Sequence, residues 1–192
     1  MCGITNYQDA IDAIDSGADA LGFVFYKKSP RYIEPLDACK IIEQLPPFVE
    51  KVGLFVEHSS DEINKISKEA KITLAQLHFE IEEKALSNID INYLRVIRAQ
   101  NSDDIDKYRD EYRLIDAFTK HYGGVGKRLN LDWFREKDCS KIILAGGLNI
   151  DNLDELNKFN FYGVDASSSL EREKGKKDSI KVKSFIDKAK SF

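Results

Sequence analysis

The sequence predicts a single α/β domain over residues 1–192, a (β/α)8 barrel with a shortened first strand, and three observations predict it. Short β-rich runs alternate with helical patterns from end to end, and parallel strands require crossovers of this kind. Alternation alone fits a doubly wound open sheet as well as a closed barrel. Seven runs plus a stub at residues 2 to 4 make eight, the number that closes a barrel. At 192 residues, 42% apolar and 32% charged, the chain can bury one full core, although it is short for this fold.

The strand-like runs are ALGFVF (20–25), VEKVGLFV (49–56), ITLAQLH (72–78), YLRVIRA (93–99), YRLIDAF (112–118), KIILAG (141–146) and FYGVDAS (161–167), each dense in β-branched or aromatic residues. Between them, apolar residues recur on one helical face. Tyr7, Ala10, Ile11, Ile14 and Ala18 form one stripe, and Ala38, Ile41, Ile42 and Leu45 a second. Ile63, Ile66 and Ala70 follow, and Val182, Phe185, Ile186 and Ala189 end the chain. Thr5 with Gln8 and Ser59 with Glu62 have capping-box spacing, and Pro35 suits a first helical turn. The basic run REKGKK at 172–177 reads as a solvated loop.

A net charge of −4 and a pI near 5.5 argue against nucleic-acid or membrane-surface partners, which call for a basic footprint. A small-molecule partner is expected. No apolar run is long enough to span a bilayer, and the first residues lack a signal-peptide pattern, so a cytoplasmic protein is expected. Cys2, Cys39 and Cys139 form neither an even set nor a CxxC pair, so they should be reduced thiols with no structural metal site.

In a barrel of this kind chemistry sits at the C-terminal strand ends, which here carry Cys2, His78, Arg98, Asp116, Gly146 with Gly147, and residues 165–169. Gly146, Gly147, Leu148 and Asn149, where a helical pattern begins, together with Ser167, Ser168 and Ser169, suit a phosphate cradle of freed N–H groups and hydroxyls. Arg31 lies between Pro30 and Pro35, and its planar guanidinium can grip a carboxylate by two bonds. The run YGGVGK at 122–127 is no nucleotide P-loop, since His121 and Arg128 replace the required glycine and Ser or Thr. It reads as a donor-rich loop or a plain hinge.

Seven segments in register, CGIT (2–5), SPRYI (29–33), VGLFV (52–56), QLH (76–78), IDAF with GGVGK (115–127), LAGGLN (144–149) and GVDASS (163–168), resemble the phosphoribosylanthranilate isomerases of tryptophan biosynthesis. The resemblance covers nearly the whole chain. It implies a small barrel without metal or organic cofactor. A monomer or homodimer is expected, a choice the sequence does not disclose. The reaction implied is the Amadori rearrangement of N-(5-phosphoribosyl)anthranilate to its 1-deoxyribulose phosphate isomer. By the same resemblance Cys2 is the general base and Asp116 the general acid, while Arg31 holds the anthranilate carboxylate. Gly146, Gly147, Ser167 and Ser168, with backbone from Gly124, hold the phosphate, and Asp165 faces the ribose hydroxyls. Such chemistry asks for a raised pKa at Asp116 and thiolate character at Cys2, the latter favoured by a helix starting near Thr5.

The chain also departs from that family. Only Met1 precedes Cys2, so strand one is almost absent and a weak seam is expected. Phe79 and Ser169 stand where glycine is usual, and the loop before Asp132 and Trp133 is slightly long. A side chain at 169 would crowd the phosphate if the backbone there needs positive φ. Two competing readings are a phosphosugar-binding barrel without turnover and the histidine-pathway isomerase, which uses two aspartates; Cys2 counts against the second.

Overall fold

A computed structural model describes residues 1–118 and 128–191. The segment carrying Gly124 and GGVGK lies outside the described residues. Strands β1 (Ala20–Val24), β2 (Glu50–Phe55), β3 (Leu74–Leu77), β4 (Asn92–Ala99), β5 (Arg113–Ala117), β6 (Ile142–Leu144) and β7 (Gly163–Val164) form one parallel sheet in sequence order. Each predicted run overlaps one of them; six strands are trimmed within their runs, and β4 starts one residue before its run, at Asn92.

The first residues join the two edges of that sheet. Cys2 donates its N–H to Ala166 O at 3.0 Å and bridges Gly22 on the other side. Gly22 N–H bonds Met1 O at 2.8 Å, and the N–H groups of Gly3 and Ile4 both reach Gly22 O at 2.9 Å. The stub thus closes the ring at its upper rim. Below it the seam expected from the shortened first strand is a cavity of about 720 Å³, lined by Met1, Ala20, Phe161, Val164, Phe185 and Ile186 among others.

Strand alternation divides the core in two. Val24, Val52, Leu54, Leu94, Leu114 and Ala145 fill the barrel interior. Leu21, Phe23, Phe55, Leu77, Ile97 and Ile115 pack outward against helices. His78, Arg98 and Asp116 share the inward parity. Arg98 pairs directly with Asp116 across β4 and β5, so their side chains leave the sheet side by side at its top.

The outer layer is uneven. Helices α1 (Tyr7–Asp15), α2 (Pro35–Ile42), α3 (Ser60–Ala70) and α5 (Ser179–Ala189) match the four apolar stripes, whereas α4 (Glu83–Leu86) is a single turn. After β4, β5 and β6 the described connections carry only 3-10 turns, at Ser102–Asp106, Leu131–Phe134 and Leu153–Leu156. This economy lets so short a chain complete the barrel. Pro35 opens α2 as expected, and Ser59 with Glu62 forms a true capping box on α3. The cap of α1 is Asn6 rather than Thr5, because the Asn6 side chain takes the Asp9 N–H. The helix expected from Asn149 is instead a turn leading into Leu153–Leu156.

Candidate active site

The rim cleft is lined by Cys2, Arg31, His78, Arg98, Asp116, Gly146, Gly147, Asp165, Ser167 and Ser168, so every proposed site residue within the described segments faces one space. Cys2 reaches it because Gly22 has no side chain: a Cβ there would lie 3.1 Å from the Cys2 Cα. Gly3 has φ +81°, and a Cβ on it would lie 2.6 Å from the Arg31 Cδ. The glycine of CGIT therefore both turns the chain and admits the Arg31 stem beside Cys2.

Asp116 sits partly sheltered at the end of β5, and its Oδ1 accepts the Ala117 N–H at 2.8 Å. Burial, with Asp165 adding to it, raises its carboxyl to about 6, while the Ala117 N–H and Arg98 oppose the rise. The expectation of a raised acid is met. Cys2 behaves otherwise. Burial first and Asp165 second push its thiol up to about 12, against the lowering pull of Lys177, the Met1 ammonium and Arg31. The thiolate expected from a nearby helix start fails because α1 begins only at Tyr7 and Cys2 is 8% exposed.

The two loops expected to hold the phosphate meet at the rim of the cleft. Gly146 and Gly147 have φ +89° and +64°, which suits them to turn successive N–H groups toward an anion. Ser168–Leu170 forms a 3-10 turn after β7, and the Ser169 hydroxyl bonds Leu148 O, tying the two loops together. Ser169 is not among the residues with positive φ, so the crowding anticipated there does not follow from backbone strain. The Ser167 Oγ is shielded from solvent and has no hydrogen-bond partner among the described residues. This hydroxyl lies close to Gly3, where an added Cβ would stand 3.1 Å from it, and an unsatisfied buried hydroxyl on the rim suits a polar ligand group.

Asp165 lines the cleft, and its Oδ1 also lies 3.4 Å from the Met1 ammonium. Arg31 is only 6% exposed. Its two-bond grip is already used: Nε and Nη2 donate to the Glu171 carboxylate at 2.6 and 2.8 Å. Burial works against both charges, but the pairing keeps Arg31 above and Glu171 below its ordinary range.

Several contributors escaped sequence reasoning. Lys177, placed in a solvated basic run, is 3% exposed and bonds Glu171 and the Ser167 carbonyl. Glu171 had no local signal, since its partner lies 140 residues away. Gln76 meets His78 Nε2 at 2.7 Å. With that amide donating, Nδ1 carries the ring hydrogen. Burial, then Arg98, lowers His78 to about 4, so it is neutral near pH 7. Phe79 packs against the outer core. The three cysteines are free thiols, and no group of three His, Cys, Asp or Glu side chains suited to a metal occurs among the described residues.

The family model described as N-(5'phosphoribosyl)anthranilate (PRA) isomerase matches residues 1–188. An N-(5'-phosphoribosyl)anthranilate isomerase of Sulfurovum sp. (strain NBC37-1) is 54% identical over 192 residues, covering 100% of this chain and 98% of the relative. The crystal structure of phosphoribosyl anthranilate isomerase from Thermotoga maritima superposes with a TM-score of 0.91 at 37% identity, covering 100% of this chain and 98% of that one. A structure of the isomerase with reduced 1-(o-carboxyphenylamino)-1-deoxyribulose 5-phosphate gives a TM-score of 0.85 at 36% identity, covering 100% and 97%. Together with the barrel and its rim, these matches show that the chain belongs to the N-(5'-phosphoribosyl)anthranilate isomerase family.

Proposed function

We propose that the whole chain, as one barrel domain, isomerises N-(5'-phosphoribosyl)anthranilate in tryptophan biosynthesis, with Asp116 as general acid and Cys2 as general base. The observation that supports this reading is a carboxyl raised to about 6 and a thiol lining the same cleft as Gly146, Gly147, Ser167 and Ser168. The glycine turns at Gly146 and Gly147, with Ser167 and Ser168, take the phosphate. Arg31 takes the anthranilate carboxylate, and Asp165 meets the ribose hydroxyls.

Protonated Asp116 gives its proton to the furanose ring oxygen as the bond from that oxygen to C1 breaks, leaving a cationic Schiff base. The Cys2 thiolate then removes the proton on C2, and the resulting enol rearranges to the ketone. A thiol at about 12 is almost wholly protonated near neutral pH, so it must first give its proton to water before the thiolate can act. The iminium formed in the first step supplies positive charge at that place, adding to Arg31 and Lys177. The iminium's charge thus lowers the thiol's pKa and raises the share of thiolate when the C2 proton is to be removed.

No helix among the described residues is long and apolar enough to cross a membrane. The reading includes a cytoplasmic enzyme, monomeric or homodimeric, with a diffusible substrate; sedimentation of the purified chain separates the two assemblies. Loss of anthranilate fluorescence from N-(5'-phosphoribosyl)anthranilate, corrected for spontaneous hydrolysis and with the product identified by mass, tests the activity. A folded chain that binds the reduced product analogue without turnover would instead be a phosphosugar-binding module.

A further inference from the structure

We propose that Glu171 is a positioning residue for the substrate's aromatic carboxylate, acting through Arg31 and held in turn by Lys177. The proposal rests on the reading of Arg31 as the partner of that carboxylate. Arg31 and Glu171 are joined by two parallel bonds of 2.6 and 2.8 Å between side chains that are 8% and 5% exposed. On the far side, Lys177 Nζ lies 3.2 Å from Glu171 Oε1 and 3.1 Å from the Ser167 carbonyl. The Lys177 N–H is itself fixed on Asp9 Oδ2 at 2.8 Å. The strands β8 (Glu171–Glu173) and β9 (Lys176–Lys177) form the antiparallel hairpin that carries both residues.

Two cations share one carboxylate in this cluster, so it holds one positive charge in excess. Buried charge of this kind favours a second anion. Glu171 occupies the Nε and Nη2 edge of Arg31, and no hydrogen bond to Nη1 occurs among the described residues. That edge belongs to a side chain lining the same cleft as Cys2. Glu171 therefore selects the edge offered to the ligand and stops the guanidinium from turning, a form of preorganisation. A ligand carboxylate brings the cluster to two cations and two anions.

Charge alone and positioning predict opposite signs. Removing Glu171 raises the local positive charge, which by itself would tighten an anionic ligand; losing the held orientation would weaken it. The probes are the reduced product analogue named above and its counterpart lacking the benzoate carboxylate, titrated into wild type, Glu171→Gln, Arg31→Ala and the double variant. Glu171→Gln is expected to weaken the carboxylated analogue by about tenfold or more. It should raise KM in proportion with little change in kcat, and leave the other analogue within about threefold. The double variant should bind no more weakly than Arg31→Ala. Unchanged or tighter binding of the carboxylated analogue overturns the proposal, and so does equal weakening of both, the mark of a hairpin pin only. If Glu171→Gln does not fold, Glu171→Asp replaces it: a smaller loss confined to the carboxylated analogue supports the proposal, and undiminished discrimination overturns it. Arg31→Ala indifferent to the carboxylate would defeat the underlying reading of Arg31; a loss there without one in Glu171→Gln defeats only the role of Glu171.

Discussion

Replacing Asp116 with asparagine is expected to stabilise the protein above about pH 6 while removing the proposed acid, because the burial that raises the carboxyl makes its ionised form costly. In the folded state it titrates at about 6 rather than the ordinary 3.8. Between those values the folded chain keeps a proton that the unfolded chain has lost, so stability falls as pH rises through that window and stays lost above it. A gap of this size corresponds to about 3 kcal/mol, and screening by water in the cleft reduces it to about 2 kcal/mol. Asparagine has no proton to lose and keeps an oxygen for the Ala117 N–H, which now bonds Asp116 Oδ1 at 2.8 Å. Thermal or urea unfolding of both proteins at about pH 8 and about pH 4 measures the effect. The variant is expected to melt about 4–8 °C higher at the upper pH and to match wild type at the lower one. Equal or lower stability at the upper pH, or a gain independent of pH, would refute the argument that burial raises this carboxyl.

Three more perturbations bear on other parts of the structure. Gly3→Ala forces a side chain onto a backbone with φ +81° and within 2.6 Å of Arg31 Cδ. It should cost about 1 kcal/mol or more in denaturant unfolding and raise KM by displacing Arg31. Ser59→Ala removes half of the α3 capping box and should cost about 1 kcal/mol in the same assay, with kcat/KM unchanged. An apolar strand of a few residues added before Met1 is expected to enter the 720 Å³ cavity beneath the stub. It should raise stability by about 2 kcal/mol, the burial of a few methylene groups; an unchanged melting temperature would mean that the seam is already satisfied.

The barrel was legible because its strands are short, β-rich and separated by turns, and because inward parity puts His78, Arg98 and Asp116 on one side of the sheet. The helical layer was legible only where a stripe spans several turns, as in Ile63, Ile66 and Ala70. Leu153 and Leu156 fill one turn and leave the choice between α and 3-10 geometry to packing. Thr5 and Asn6 are both good caps, and local geometry chose Asn6. At the site, glycine, serine and carboxylate at strand ends marked residues that the fold brings to one cleft: Gly146, Gly147, Ser167, Ser168 and Asp116. The Arg31–Glu171–Lys177 cluster was hidden, since charged residues in a polar run look the same whether solvated or buried until distant chain segments meet. The state of Cys2 was hidden for a similar reason: burial and Asp165 outweigh the cations around it, and neither follows from its neighbours in sequence.

The central claim, that Asp116 and Cys2 are the acid and base of one isomerisation, is tested most directly by measuring kcat and analogue affinity together for wild type, Cys2→Ala and Asp116→Asn. Each variant is expected to lose about a hundredfold or more in kcat while binding the reduced product analogue within about threefold of wild type. A variant at either position that keeps kcat within about tenfold would contradict the assignment of that residue.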